Sequence, residues 1–340
     1  MALKSVIMAG GLGTRLRPLT YDYPKSLMPV DGRPSIFYLL NSLSKVSDQF
    51  IITTSYMYEK LLYRLTHEHI FDGFNFLFSI EKKPLGTFGG IKKIQEFLDS
   101  TFIVGNADTV FDFSVEEIVD FHNKNKNTIT IALTEVENPS EYGVVKLENG
   151  LITEFQEKPK HNPISNIANT GLYIMEPDVL DYFEPGEVVD IAKDLIPKIK
   201  ADKKRIGGIL TKGTWIDIGR PLDLIKANLH IAKTWKSKEL NNSRDAFYHG
   251  EVKIDPSANI KNSYLYDNVE VGKNCSIENS LILNDTKLDD DCKIYNSIVG
   301  FESEVMSGSE IYDSVIGSKV IFKGNLRNSI NSRRAEDILP

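Results

Sequence analysis

In its first third the chain alternates short β-rich apolar runs with stretches of helical spacing, the pattern of parallel strands joined by crossover helices. The runs Lys4–Met8, Phe50–Thr54, Asn75–Ile80 and Thr101–Gly105 predict strands. Between them, Ile36, Leu39, Leu40 and Leu43 recur at helical spacing behind Pro34, and further helices are expected from Met57 and over Gly89–Leu98. Together these make a doubly wound α/β unit with a mostly parallel sheet. Ser114 and Glu117 have capping-box spacing ahead of Ile118 and Phe121, which starts another helix. From Thr128 the texture changes: Gly143–Leu147 and Leu151–Gln156 flank Glu148-Asn149-Gly150, and Asn-Gly is a strong hairpin signal, so an antiparallel insertion follows. A helix over Pro221–Thr234, with Leu222, Ile225 and Leu229 on one stripe, closes this part of the chain.

Beyond the polar stretch Lys236–Arg244 the apolar positions repeat every 17 residues. Ile254, Val271, Leu288 and Val305 form one column; Ile260, Ile277, Ile294 and Ile311 a second; Leu265, Ile282, Val299 and Ile316 a third. Asn262-Ser263, Asn279-Ser280, Asn296-Ser297 and Asp313-Ser314 fall at one phase, and a shortened last coil includes Asn328-Ser329-Ile330. Three short strands per repeat cannot bury an apolar face alone, but stacked coils bury a continuous one, which predicts a three-sided parallel β-helix. The spacing resembles the left-handed hexapeptide-repeat helix, in which a small residue follows the inward aliphatic one by four positions. Here that column is Ala258, Cys275, Cys292 and Ser309, so the two cysteines read as core fillers rather than redox or metal groups. The resulting division is an α/β domain over 1–236, a linker over 237–250 and a short left-handed parallel β-helix over 251–332.

Composition narrows the partners. A net charge of -7 argues against nucleic acid or an anionic membrane, because long-range repulsion precedes contact. Any phosphate site must then be locally basic, and Lys4, Arg15 and Arg17 precede the first carboxylate, Asp22. No apolar run approaches a bilayer span, and the start lacks the pattern of a signal peptide, so a cytoplasmic location is expected. His67, His69, His122 and His161 show no metal-like spacing and read as surface or loop residues; Trp235 and the aromatics over Phe71–Phe78 read as packing.

The candidate chemistry begins where the first strand ends. Gly10-Gly11-Leu12-Gly13-Thr14-Arg15 lets backbone amides converge on an anion at the carboxyl end of a parallel strand. A P-loop would end in Gly-Lys-Ser/Thr, and a dinucleotide loop would run directly into a helix; neither is present. The longer string from Gly10 through Thr20, followed by Pro24-Lys25, resembles the signature of the sugar-1-phosphate nucleotidyltransferases, whose catalytic domain is Rossmann-like. Glu81-Lys82-Lys83-Pro84-Leu85-Gly86-Thr87 resembles that family's base-recognition segment. Asn106-Ala107-Asp108 and Trp215-Ile216-Asp217 match its two metal-binding carboxylates. Glu141-Tyr142-Gly143, Glu157-Lys158-Pro159 and Asn169-Thr170-Gly171 match its sugar-phosphate half.

The resemblance assigns roles. Ala9, Gly10, Gly11, Gly13, Thr14 and Arg15 hold the triphosphate, Arg15 stabilises the departing pyrophosphate, and Lys25 binds phosphate. Glu81, Pro84, Gly86 and Thr87 surround the base, with Glu81 reading it. Lys158 takes the sugar phosphate, Glu157 the sugar hydroxyls, and Gly143, Asn169 and Thr170 line the sugar pocket. Asp108 and Asp217 hold magnesium, the expected cofactor. A sugar-1-phosphate oxygen then attacks the α-phosphorus in line, and positioning with charge neutralisation carries the catalysis without a protein nucleophile. The pattern Pro84-Leu85-Gly86-Thr87 is closest to mannose-1-phosphate guanylyltransferases and related heptose-phosphate enzymes, and a carboxylate at Glu81 suits the two N–H donors of guanine. Phe88 and Ser26 depart from the family's usual residues, which leaves UTP or dTTP with glucose-1-phosphate as the alternative pair. A non-catalytic relative is the rival reading, although Arg15, Lys25, Asp108, Lys158 and Asp217 are all retained. Acetyl transfer by the β-helix would need a general base, usually histidine, between coils, and the last histidine is His249. The β-helix is therefore expected to serve assembly, as a homo-oligomer, or regulation.

Overall fold

A computed structural model describes residues 3–234 and 246–333 of the chain. Contacts divide it into two compact units: residues up to Gly11 with Ser35–Asp217, and Leu12–Pro34 with the chain from Ile218 onward.

The first unit is built on a nine-stranded sheet. Strands β1 (Leu3–Met8), β2 (Ser47–Thr54), β3 (Asn75–Ile80) and β4 (Phe102–Asn106) run parallel in the order β3-β2-β1-β4. β1 and β4 pair from Lys4 with Phe102 to Met8 with Asn106, so their carboxyl ends finish level. Val6, Ile51, Phe102 and Val104 enter one apolar core with Phe88 and Ile91. The strand after β5 (Thr109–Phe111) is β6 (Ile129–Glu135), and the hairpin β7 (Gly143–Glu148) and β8 (Leu151–Glu157) turns at Asn149 and Gly150. Both turn residues take positive φ, 50° and 76°, which is the backbone an Asn-Gly turn permits. β9 (Ile167–Met175) lies antiparallel between β4 and β6, and β10 (Ile206–Leu210) and β11 (Trp215–Asp217) complete the strands of this unit. The expected helix over Gly89–Leu98 starts earlier, at Gly86, and stops at Lys93, where a short 3-10 turn takes over. The expected N-cap is present: Ser114 Oγ accepts the Glu117 amide at 3.2 Å and opens the helix Val115–Asn125.

One histidine differs from expectation. His122 is buried rather than at the surface, its ring 2.9 Å from both Thr130 Oγ1 and Glu176 Oε1. It stands inside the apolar stripe of its helix, and two polar partners satisfy the nitrogens that burial takes from water.

In the second unit the 17-residue repeat folds as three parallel sheets, the arrangement of the left-handed β-helix. The aliphatic columns are in register: Ile254 pairs with Val271, Ile260 with Ile277 and Ile294 with Ile311, while Leu265, Ile282, Val299 and Ile316 follow one another. Cys275 and Cys292 are unbridged and packed in this core. The Asn-Ser echo marks one corner. Asn262, Asn279, Asn296, Asp313 and Asn328 take left-handed φ near that of a turn, and Ser263, Ser280, Ser297 and Ser314 each accept the backbone N–H of the next coil, as Ser263 Oγ does from Ser280 at 3.1 Å. Of the stretch expected as a linker, residues up to 245, and Trp235 before it, lie outside the described residues. Ala246–Tyr248 is already a strand, paired with Ser263–Leu265.

Candidate active site

At the carboxyl ends of the parallel strands in the first unit, the backbone is zipped together beyond the sheet. The Ala9 amide donates to Thr53 O at 2.8 Å, the Glu81 amide to Thr54 O at 2.8 Å and the Ala107 amide to Met8 O at 3.1 Å. This fixes where Ala9, Glu81 and Asp108 leave their strands. Ser55 Oγ donates to Gly10 O at 3.0 Å, and a Cβ on Gly10 would come within 3.3 Å of that hydroxyl oxygen, whereas Gly11 has open space around it. Open space beside a glycine is what a phosphate needs to approach the main chain.

Glu81 is half-buried, and burial pushes its carboxyl above the usual carboxylate range, opposed by the Leu85 amide and by Lys93. Its Oε2 accepts the Leu85 amide at 3.0 Å, and Oε1 sits where a Cβ on Gly90 would be, so Gly90 is the residue that makes room for it. Gly86 takes φ 78° against the Val189 carbonyl. Thr87 Oγ1 donates to Asp190 Oδ2 at 3.0 Å and accepts the Ile191 amide at 2.8 Å, and Pro84 lies exposed. Thr87 therefore secures its own loop to residues 190 and 191. Phe88, a departure from the family pattern, points into the core, its ring 5.8 Å from that of Phe183.

The segments of the two expected metal carboxylates, far apart in sequence, are brought together by one short antiparallel pair. β5 and β11 pair Thr109 with Asp217, Val110 with Ile216 and Phe111 with Trp215. Asp108 immediately precedes Thr109, which puts it beside Asp217.

The segments expected to form the sugar half border the same strand ends. β9 pairs Tyr173 with Val104, so Asn169, Thr170 and Gly171 continue past the end of β4, and Gly171 (φ 79°) abuts the Asn106 side chain. Asn169 Nδ2 donates to Tyr173 Oη at 2.6 Å and its Oδ1 accepts the Gly171 amide at 2.8 Å; burial holds the Tyr173 hydroxyl well above its ordinary pKa. Thr170 is buried, and its hydroxyl donates to Ala132 O at 2.9 Å while its carbonyl accepts the Trp215 indole at 3.1 Å. Its contribution is thus to hold β9 and β11 in place rather than to offer a hydroxyl. Gly143 leaves room for Glu157: a Cβ there would lie 2.8 Å from Glu157 Oε2. Lys158 Nζ stands 3.7 Å from Glu157 Oε1, and Lys158 itself takes φ 44°. A left-handed lysine is uncommon, and such strain gathers at binding positions.

The second unit carries the rest of the signature. Gly13 has φ 62°, and a Cβ on it would lie 2.8 Å from Thr20 Cγ2 and 3.2 Å from Lys25 Cβ. Thr20 Oγ1 closes the loop by donating to Gly13 O at 2.8 Å. Thr14–Leu16 forms a single 3-10 turn anchored by buried Leu16, which leaves Thr14 and Arg15 exposed; Leu19–Tyr21 forms another, and Lys25 opens a third. Arg17 lies over the Tyr21 ring at 4.9 Å. Lys4, counted with the basic residues in the sequence, does not belong with them. It is at the start of β1 and bonds Asp99 and Phe97 O, both at 2.8 Å.

The family described as nucleotidyl transferase matches residues 4–234. The chain belongs to it. A second family, described as the GMPPB C-terminal domain, matches residues 243–331 of this nucleotidyl transferase. Among its relatives, the mannose-1-phosphate guanyltransferase of Gibberella zeae is 37% identical over 270 residues, covering 76% of this chain and 73% of that protein. The mannose-1-phosphate guanylyltransferase catalytic subunit beta of Xenopus tropicalis is 35% identical over 266 residues with the same coverage. Among solved structures, HddC from Yersinia pseudotuberculosis complexed with GMP-PN is 27% identical with a TM-score of 0.59, covering 68% of this chain and all of that one. The fold and enzyme class expected from the sequence are those found: this is a sugar-1-phosphate nucleotidyltransferase. Ser55 and Asp190 are supports that the motif reading passed over, whereas Gly90 belongs to the glycine pair that follows Pro84-Leu85-Gly86-Thr87 and Trp215 opens the Trp-Ile-Asp segment.

Proposed function

We propose that this nucleotidyltransferase joins GTP and mannose-1-phosphate to give GDP-mannose and pyrophosphate. The observation that carries the reaction type is the pairing of Asp217 opposite Thr109, beside Asp108. The relatives' names and a carboxylate at Glu81 support guanine and mannose. The phosphate oxygen of mannose-1-phosphate forms a bond to the α-phosphorus as the bond from that phosphorus to the pyrophosphate oxygen breaks. Lys158 holds the phosphate and Glu157 the hydroxyls of the attacking mannose-1-phosphate, while Arg15 and Lys25 take up charge on the leaving pyrophosphate.

Magnesium fits the donor set. Asp108 and Asp217 offer hard carboxylate oxygens, and among the described residues no group of three His, Cys, Asp or Glu could cage an ion. A two-carboxylate site completed by phosphate oxygens and water is what magnesium accepts. When bound, it would supply charge neutralisation at the α-phosphate. Assembly as a homo-oligomer and work in the cytoplasm belong to the same proposal; no described helix is long and apolar enough to cross a membrane.

The test is pyrophosphate release over a grid of nucleoside triphosphates and sugar-1-phosphates with magnesium. Preference for GTP with mannose-1-phosphate is expected. Preference for dTTP or UTP with glucose-1-phosphate would replace the substrates, a reading favoured by the 25% identity to a putative glucose-1-phosphate thymidylyltransferase of Bacillus anthracis, TM-score 0.62. No turnover with any pair would overturn the enzyme itself.

A further inference from the structure

The segment that carries Arg15 and Lys25 is held by residues distant in sequence as well as by its own turns. Four residues after Leu27, at the end of the turn that Lys25 opens, the chain makes a two-residue hairpin at Asp31 and Gly32, with φ 45° and 77°, between Pro29–Val30 and Arg33–Pro34. Within the second unit, the β-helix and the helix Pro221–Thr234 close on this hairpin. Tyr264 Oη donates to Asp31 Oδ1 at 2.9 Å. Asn228 Oδ1 accepts both the Asp31 amide at 2.9 Å and Tyr266 Oη at 2.5 Å, while Asn228 Nδ2 donates to Pro29 O at 3.0 Å. The His249 ring packs where a side chain on Gly32 would be. Asp31, Asn228, Tyr264 and Tyr266 are all buried, with exposures of 4%, 0%, 1% and 1%.

Between this clamp and Lys25 nothing is loose. Ser26, Leu27 and Met28 are buried, the Met28 amide donates to Lys25 O at 3.0 Å, and no glycine intervenes. The stem of Lys25 in turn lies against Gly13 of the phosphate loop. Buried hydrogen bonds whose loss strands a polar group are costly to break, so the register of the hairpin is firmly set. We infer that Tyr264 and Tyr266 of the β-helix are positioning residues for Lys25, so that the first coil of the β-helix sets the place of a phosphate-binding residue rather than serving only as a platform for assembly. The inference rests on the nucleotidyl-transfer reading and on the assignment of Lys25 to phosphate.

The distinguishing property is selectivity among kinetic constants. Lys25 serves the triphosphate and pyrophosphate, whereas the sugar-phosphate residues belong to the other unit. Tyr264→Phe keeps the ring and removes one donor. The full-length variant is expected to raise the apparent KM for GTP, and for pyrophosphate in the reverse direction, by about 3- to 10-fold, with the KM for mannose-1-phosphate within twofold of the parent. Asp31→Asn retains the acceptor and is expected to behave as the parent, while Asp31→Ala reproduces the Tyr264→Phe pattern. A thermal melt on each variant reports its folded fraction. If Tyr264→Phe fails to fold, the Asp31 pair decides the matter. Equal change in all three constants, or no change in any while the parent turns over, would overturn the inference. A parent with no turnover would instead overturn the proposed reaction.

Discussion

Asp217 lies directly opposite Thr109 in the antiparallel pair of β5 and β11, one residue along the chain from Asp108, which ends the turn before β5. Strand register, rather than a shared loop, thus fixes the backbone of Asp217 one residue from that of Asp108. Backbone positions fixed in this way suit two residues that would hold magnesium beside the phosphates. Asp108→Asn and Asp217→Asn are each expected to lower turnover by on the order of 10²-fold, as loss of one preorganised charge contact does. The magnesium concentration for half-maximal rate should rise, with unchanged circular dichroism. Near-parent rates in both variants at low magnesium would remove the pair from the metal site.

Lys158 separates backbone strain from function. With φ 44° it occupies a conformation that glycine takes freely and alanine does not. Lys158→Gly should fold at least as stably as Lys158→Ala, yet both lose the ammonium. The apparent KM for sugar-1-phosphate should rise in both by roughly 10- to 100-fold, the scale of a charge-assisted contact, while that for GTP stays put. A kinetic defect confined to the alanine variant would make the lysine a backbone feature alone.

Glu81 gives the reaction a pH signature. Burial raises its carboxyl pKa, and only the ionised form accepts both N–H donors of guanine. As pH falls through this raised value the carboxylate gains a proton, so GTP affinity should weaken on the mildly acidic side; binding of GTP should in turn release a proton. Glu81→Gln is expected to weaken GTP binding and flatten that limb of the KM profile. A limb that persists in the variant would trace to another group. Gly90→Ala, whose methyl would occupy the place of Glu81 Oε1, should shift GTP affinity in the same direction without altering the pH limb's cause.

What the sequence made legible follows from whether the governing contact is local or periodic. The 17-residue repeat was readable because each coil sees the same neighbours, so the columns through Ile254, Ile260 and Leu265 had to be aliphatic together. The Asn-Gly turn and the Ser114 cap were readable because both are satisfied within a few residues. The hairpin clamp at Asp31 was not, because its partners Asn228 and Tyr264 lie on distant segments and tyrosine or asparagine alone announces no such bond. For the same reason the motif could nominate Thr170 and Thr87 for the site but could not say that their hydroxyls are taken by Ala132 O and by Asp190. Burial of His122 likewise depended on Thr130 and Glu176 being brought to it by the sheet.

The β-helix permits a sharp contrast between inward and outward residues on one strand. Ile294 is fully buried and paired in register with Ile277 and Ile311, so truncation opens a cavity that two neighbouring coils share. Lys293, the adjacent residue, points outward and bonds Glu310 Oε1 at 2.9 Å from a position 52% exposed. Because stability in a stacked repeat is a sum of coil and interface terms, Ile294→Ala acts on two interfaces at once and should destabilise the protein by about 2–5 kcal/mol. Lys293→Ala, which removes only an exposed ion pair, should leave the midpoint nearly unchanged and become indistinguishable from the parent at high salt. Thermal melts of the two variants at low and high ionic strength make the comparison. If the lysine variant melted as early as the isoleucine variant, the coils would be held by their surface ladders of charge rather than by the aliphatic columns.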